Sequence, residues 1–346
     1  MNLLRLHLNE SPYRLPEDRL ERVLAGAAAT LNRYPERAVD LLRERYAAYA
    51  GASAQRAAQV GPSPGQVVPT NGGDEAINLT VIALRPLVRQ VVVLTPTFPE
   101  YSRAARLAGL DVVEVPLAGQ DYHIDLDGLS EALRRAPSLV FVCSPNNPTG
   151  NLLDTLEALD VIAAAPGPAW VAVDEAYWEF AGETVLAELD RRENLVVIRT
   201  MSKAFCLAGA RLGFALAAPA LSRRLETARM LFNVDALTAA VGAAALDDPA
   251  YVRDVVAAVA EARERLAAGL GGLPGIVPYP SRANFVFVRT QRPGPDLARA
   301  LALRGVLVRA YPDVPDLLHR LRVTVGAPEE VDRSLSAFAD ALGVPG

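Results

Sequence analysis

Four short strings in this chain combine groups that can do chemistry with turns that can present them. In TMSKAFCLAGARLGF, Lys203 follows the strand-like run LVVIRT, and Arg211 stands eight residues further on, just before the next such run. An amine with an adjustable pKa can serve as nucleophile or proton carrier, although a lone loop lysine is more often simply solvated. VAVDEAYWEF delivers Asp174 at a strand end, with Tyr177 three residues later. A carboxylate buried there needs a partner such as a protonated ring nitrogen; a turn cap explains the same residue equally well. VFVCSPNNPTG ends a strand in a turn carrying Asn146 and Asn147, and Asn, Pro and Gly are what turn chemistry alone would select. TNGGDEAINL sets Gly72 and Gly73 ahead of a helix with Asp74 and Glu75 in its first turn, where free N–H groups and the helix dipole favour a phosphate.

These strings need elements to hold them. Apolar, β-branched runs at VVVLT (from 91), VVEV (112), LVFVC (139), WVAVD (170), LVVIRT (195) and LGFAL (212) alternate with helical stretches near 73–84, 98–108, 127–135 and 154–164. Strands apolar throughout are buried on both faces, so the pattern predicts a largely parallel α/β sheet covered by helices. In such sheets ligands bind beyond the strand ends, which is where the four strings fall. After about residue 235 a long Ala-rich helix is expected, with Val252, Val255, Val256, Val259 and Leu266 on its core face. The runs NFVFV (284), VLVR (306) and LRVTV (321) follow with helices between and after them, an α+β texture. The division predicted is 1–40 as an N-terminal arm and part of a small domain, 41–235 as the large domain, and 236–346 as the small C-terminal domain.

At 346 residues the chain is long enough for two domains, and 51% apolar with 22% charged residues is a globular balance. A net charge of −5 without basic blocks argues against nucleic acid as a partner. The N-terminus reads as neither signal peptide nor anchor, and no apolar run approaches bilayer length, so a cytoplasmic protein is expected. Two cysteines, Cys143 and Cys206, make no disulfide framework, and His7, His123 and His319 lack ligand spacing, so no metal site is expected. The sequon at Asn78 lies in a helical stretch and is read as a chance match. No G-x-G-x-x-G or Walker string is present, which sets aside a plain nucleotide-binding protein.

Taken in order, LNESPY at 8, RYP at 33, GGDEAI at 72, TPTFPEY at 95, SPNNPTG at 144, DEAY at 174, TMSKAFCLAGARLGF at 200, PSRANF at 280 and LRVTVG at 321 resemble the class I/II pyridoxal-phosphate-dependent aminotransferases. Within these the chain is most similar to the histidinol-phosphate aminotransferases, over nearly its whole length. The resemblance implies the fold of type I pyridoxal-phosphate transferases, with a mostly parallel seven-stranded sheet in the large domain and a smaller α+β domain. It implies pyridoxal 5'-phosphate as cofactor, held as a Schiff base by Lys203, which then shuttles protons. Asp174 would pair with the pyridine nitrogen, Asn147 and Tyr177 would donate to the phenolic oxygen, and Phe98 would stack on the ring. Gly73, Asp74, Thr200, Ser202 and Arg211 would hold the phosphate, with Tyr34 reaching it from the other subunit of a homodimer. Tyr13, Arg309 and Arg322 would bind substrate. The implied reaction exchanges L-histidinol phosphate and 2-oxoglutarate for imidazole-acetol phosphate and L-glutamate, a histidine-biosynthesis step. Aromatic amino acid aminotransferases and threonine-phosphate decarboxylases share much of the motif set. A cofactor-binding regulator without turnover would be expected to carry a basic DNA-binding region, which the sequence lacks. Leu231 and Arg14 depart from the family's usual Pro and Gly, in segments expected to border the substrate.

Overall fold

The computed structural model describes residues 3–54 and 61–344. The first half runs β1 (Leu4–Leu6), α1 (Glu17–Ala28), α2 (Glu36–Ala54), β2 (Val67–Thr70), α3 (Gly72–Leu84), β3 (Gln90–Thr95), α4 (Glu100–Leu107), β4 (Asp111–Pro116), α5 (Leu126–Leu133) and β5 (Ser138–Cys143). It continues with α6 (Thr155–Ala163), β6 (Ala169–Asp174), α7 (Trp178–Ala181), β7 (Leu195–Thr200), β8 (Gly213–Ala217), α8 (Pro219–Ala228), α9 (Ala236–Leu246) and α10 (Pro249–Gly271). The last elements are β9 (Ile276–Pro278), β10 (Phe285–Thr290), α11 (Gly294–Ala302), β11 (Val306–Ala310), β12 (Arg320–Thr324) and α12 (Pro328–Leu342).

Seven strands form one sheet in the order β2-β8-β7-β6-β5-β3-β4. All of its pairings are parallel except the two made by β8. Successive strand residues point to opposite faces, and both faces are dry. Leu139, Phe141 and Ala172 pack on one side with α3, α4 and α8, whereas Val140, Val142, Val171 and Val173 join the core on the other side with α2, α6 and α9. Each of these valine, leucine and phenylalanine side chains, fully buried, contributes roughly 1.5–3 kcal/mol relative to an exposed position. The strand β2 escaped the sequence pattern because it is four residues long and contains Pro69, which its edge position tolerates.

A second, five-stranded sheet has the order β1-β11-β12-β10-β9, with β1 parallel to β11 and the remaining pairs antiparallel. The N-terminal strand thereby joins elements from the far end of the chain. The long Ala-rich helix expected after residue 235 is two helices. Asp248 accepts a hydrogen bond from the Tyr251 N–H and Pro249 occupies the first turn, so a new helix starts where one continuous helix was expected. Val252, Val255, Val259 and Leu266 of α10 are buried as the spacing required, with Val256 at the margin.

Candidate active site

The parity of the strands decides which side chains meet at the C-terminal edge of the large sheet. On β6, Asp174 shares the face of Ala172, beneath α3 and α4; Glu175 turns to the other face. On β7, Thr200 lies on the α3 side and Arg199 opposite, against Glu175. Consecutive residues thus build two different structures: a cleft on one face and a buried ion pair behind it.

The cleft encloses about 1170 Å³ between the strand ends and the five-stranded sheet. Its walls include Gly73, Asp74, Phe98, Asn147, Asp174, Tyr177, Thr200, Ser202, Lys203, Arg211, Arg309 and Arg322. Tyr13 and Tyr34 lie outside it. Tyr13 packs half-buried against the core, its N–H on Ser11 Oγ. Tyr34 is 77% exposed and stacks on Phe232 with ring centroids 4.3 Å apart. Leu231 is 78% exposed and Arg14 is exposed, and neither lines the cleft within this one chain. Both sit on loops that run over the surface.

Asp174 is buried, and its carboxylate accepts from the Tyr101 hydroxyl at 2.6 Å and the Ala176 N–H at 3.0 Å. The turn-capping role and the cleft role therefore coexist. Burial pushes its pKa up to about 6, against the opposing effect of the Tyr101 bond. Among the described residues it makes no ion pair. Lys203 Nζ donates to the Asn9 carbonyl at 3.1 Å and lies 5.8 Å from the centre of the Tyr177 ring. Burial, and then the charge of Arg322, lower its pKa to about 8, so a neutral amine is available near physiological pH. The phenol of Tyr177, whose pKa burial raises, accepts from Asn9 Nδ2 at 2.9 Å and keeps its own proton to donate.

Facing these groups, the first turn of α3 meets Thr200, Ser202 and Arg211. The Thr200 hydroxyl is 2.9 Å from that of Ser202, and Arg211 Nη2 pairs with Asp74 Oδ2 at 2.8 Å. Gly72 has φ +77°, and a Cβ there would meet Arg211 Nη2 at 2.7 Å; only glycine lets the guanidinium close on the helix end. On the small-sheet side, Arg322 Nη1 donates to Asn147 Oδ1 at 2.5 Å and Nη2 to the His7 carbonyl at 2.7 Å. Arg309 is paired with Arg322 in the β11–β12 register and makes no ion pair among the described residues.

The strings LNESPY and TPTFPEY marked their neighbourhoods without identifying Asn9 or Tyr101. Asn9 is a hub: its N–H and Oδ1 engage Thr324 Oγ1 and its carbonyl takes Lys203 and Asn284. Its φ of +54° suits Asn better than most residues. That signal was a polar residue in a quoted motif, but its partners lie between 168 and 315 positions away.

A pyridoxal group fits this donor set. A buried carboxylate without a cation suits a protonated pyridine nitrogen, a depressed lysine suits its aldehyde, and hydroxyls with a guanidinium at a helix start suit its phosphate. The family model for "Aminotransferase class I and II" matches residues 2–338. The chain belongs to the class I and II aminotransferases. Pyridoxal 5'-phosphate is the cofactor of this family member, and its reactants are small molecules. A histidinol-phosphate aminotransferase from Thermococcus kodakarensis is 39% identical over 342 residues, covering 99% of this chain and 93% of that protein. One from Caldanaerobacter subterraneus subsp. tengcongensis is 33% identical over 340 residues, with coverage of 98% and 93%. Among solved structures, the histidinol-phosphate aminotransferase from Sinorhizobium meliloti in complex with pyridoxal-5'-phosphate superposes with a TM-score of 0.85 at 27% identity, covering 99% of this chain and 91% of that one. Among the described residues of this aminotransferase no helix is long and apolar enough to cross a membrane, and no cluster of His, Cys, Asp and Glu could hold a metal ion.

Proposed function

We infer that this aminotransferase moves the amino group of L-histidinol phosphate to 2-oxoglutarate, giving imidazole-acetol phosphate and L-glutamate, as its histidine-biosynthesis step. The observation that carries the reading is one cleft holding a lysine with a depressed pKa, a buried carboxylate lacking a cation and a wall of two arginines, in a chain so similar to proteins of that name. When bound, the cofactor's electron-poor ring acidifies the Cα proton of the amine attached to it. Lys203 would hold the cofactor and, once freed as a neutral amine, would take that proton and return one to the cofactor carbon on the other side of the shared nitrogen. Asp174 keeps the ring nitrogen protonated, Asn147 and Tyr177 donate to the phenolic oxygen, and Phe98 covers one face. Gly73, Asp74, Thr200, Ser202 and Arg211 retain the phosphate. Arg309 and Arg322 receive the acidic groups of both substrates, the phosphomonoester and the dicarboxylate.

The reading includes a homodimer in which Tyr34 reaches the partner's cofactor phosphate. It is supported by Tyr34 standing exposed on Phe232 beside Met230 and Leu231, which are 72% and 78% exposed. Division into a large and a small domain near residues 40 and 235, and a cytoplasmic site, belong to the same proposal; both cysteines are free.

The test offers the holoenzyme L-histidinol phosphate, L-phenylalanine and O-phospho-L-threonine separately, following loss of the lysine-bound cofactor's visible band and release of CO2. Preference for L-histidinol phosphate by kcat/KM without CO2 is expected. Preference for phenylalanine, or CO2 release from phosphothreonine, would replace the named substrate.

A further inference from the structure

The small-sheet wall of the cleft holds a polar group that the assignments above leave unused. Tyr311 is the first residue after β11, two positions beyond Arg309, and lines the same cleft. Its ring stands edge-on to Phe287, which is fully buried, with centroids 6.3 Å apart, and the Arg309 guanidinium lies 5.7 Å from its centre. The side chain is therefore held between a fixed ring and a cation, yet its hydroxyl is shielded from solvent and has no hydrogen-bond partner among the described residues. A shielded O–H without an acceptor is costly unless a ligand supplies one. Arg322 shows the same deficiency: both terminal nitrogens are committed to Asn147 and His7, while its buried Nε has no partner among the described residues. The charges acting on the phenol are those of Arg322 and Arg309. Burial keeps it protonated, and hence a donor.

We propose that Tyr311 is a specificity-determining residue whose hydroxyl donates to the phosphate of a phosphomonoester amine donor, beside Arg309 and Arg322. This rests on the reading that the wall receives a phosphate. A planar carboxylate presents two oxygens, which two guanidinium groups satisfy. A phosphomonoester dianion presents three terminal oxygens in a tetrahedral array, and a third donor from a different direction distinguishes the two shapes. The phenol costs little to order because its ring is already packed.

The test is Tyr311→Phe, which removes one oxygen and keeps the ring. Two readings are made on holoenzyme: KM and kcat for L-histidinol phosphate against L-glutamate, and the inhibition constant of inorganic phosphate against L-glutamate. The expected result is a rise of about tenfold or more in KM for L-histidinol phosphate and in the phosphate inhibition constant, the size of a lost charged hydrogen bond. The glutamate KM should move far less, and kcat for either donor little. Equal losses for glutamate and L-histidinol phosphate would show a merely structural role and overturn the proposal, as would no change for either. If wild-type enzyme does not use L-histidinol phosphate, the named substrate fails separately, and the phosphate inhibition constant decides: an unchanged value in the variant overturns the role of Tyr311.

Discussion

Replacing Asp174 by Asn should stabilise the cofactor-free protein at pH 8 while crippling the loaded enzyme. The carboxyl pKa is raised by burial from 3.8 to about 6. At 1.36 kcal/mol per pKa unit, the folded chain bears a cost of about 3 kcal/mol for keeping Asp174 ionised. The sign follows from proton counting. Between pH 4 and 6 the folded state holds a proton that the unfolded state has released, so this group's contribution is full below 3.8 and is lost as pH rises through about 6. Asparagine has no charge to desolvate and its Oδ1 can still accept from Tyr101, but it loses one of the two bonds now made, about 1 kcal/mol. The net is a gain of about 2 kcal/mol at pH 8 and near zero at pH 4.5. Thermal unfolding of cofactor-free wild type and Asp174→Asn at both pH values, at one scan rate, measures this. Adding pyridoxal phosphate should reverse the order, because only the wild type gains a cation opposite its carboxylate. The reasoning is refuted if the cofactor-free variant unfolds at or below the wild-type temperature at pH 8.

The pH dependence of cofactor uptake tests Lys203. Its pKa is lowered from 10.5 to about 8, and only the neutral amine attacks the aldehyde. The rate of reconstitution should climb up to about pH 8 and then level; continued climbing toward pH 10 would mean an ordinary lysine. Arg199, fully buried, bonds Glu175 at 2.9 Å and Thr184 at 2.6 Å. Arg199→Ala should cost about 3–5 kcal/mol in denaturant unfolding, and Glu175→Gln added to it should recover part of the loss. Simple addition of the two losses would contradict a coupled pair.

Apolar runs such as LVFVC exposed the central strands because burial on both faces leaves no polar alternation to confuse them, and the strand-end motifs fell where such sheets bind ligands. What escaped depended on contacts between distant segments. The segment MNLLRLHLNE contains a strand only because β11 lies beside it, and Asn9 matters only because Thr324, Asn284 and Lys203 converge on it. The break between α9 and α10 was written in Asp248 and Pro249, but the alanine-rich composition on both sides concealed it. Tyr13 and Tyr34 were placed by family resemblance, and within one chain neither reaches the cleft.

Hydride reduction of the loaded protein followed by peptide mass analysis most directly tests the claim that Lys203 carries the cofactor. The expected result is a phosphopyridoxyl mass on the peptide containing Lys203 alone, with no visible cofactor band and no transamination in Lys203→Ala. Lys203 is the chain's only lysine, so absence of that mass from its peptide, or a Lys203→Ala protein that still transaminates at the wild-type rate, would contradict the account.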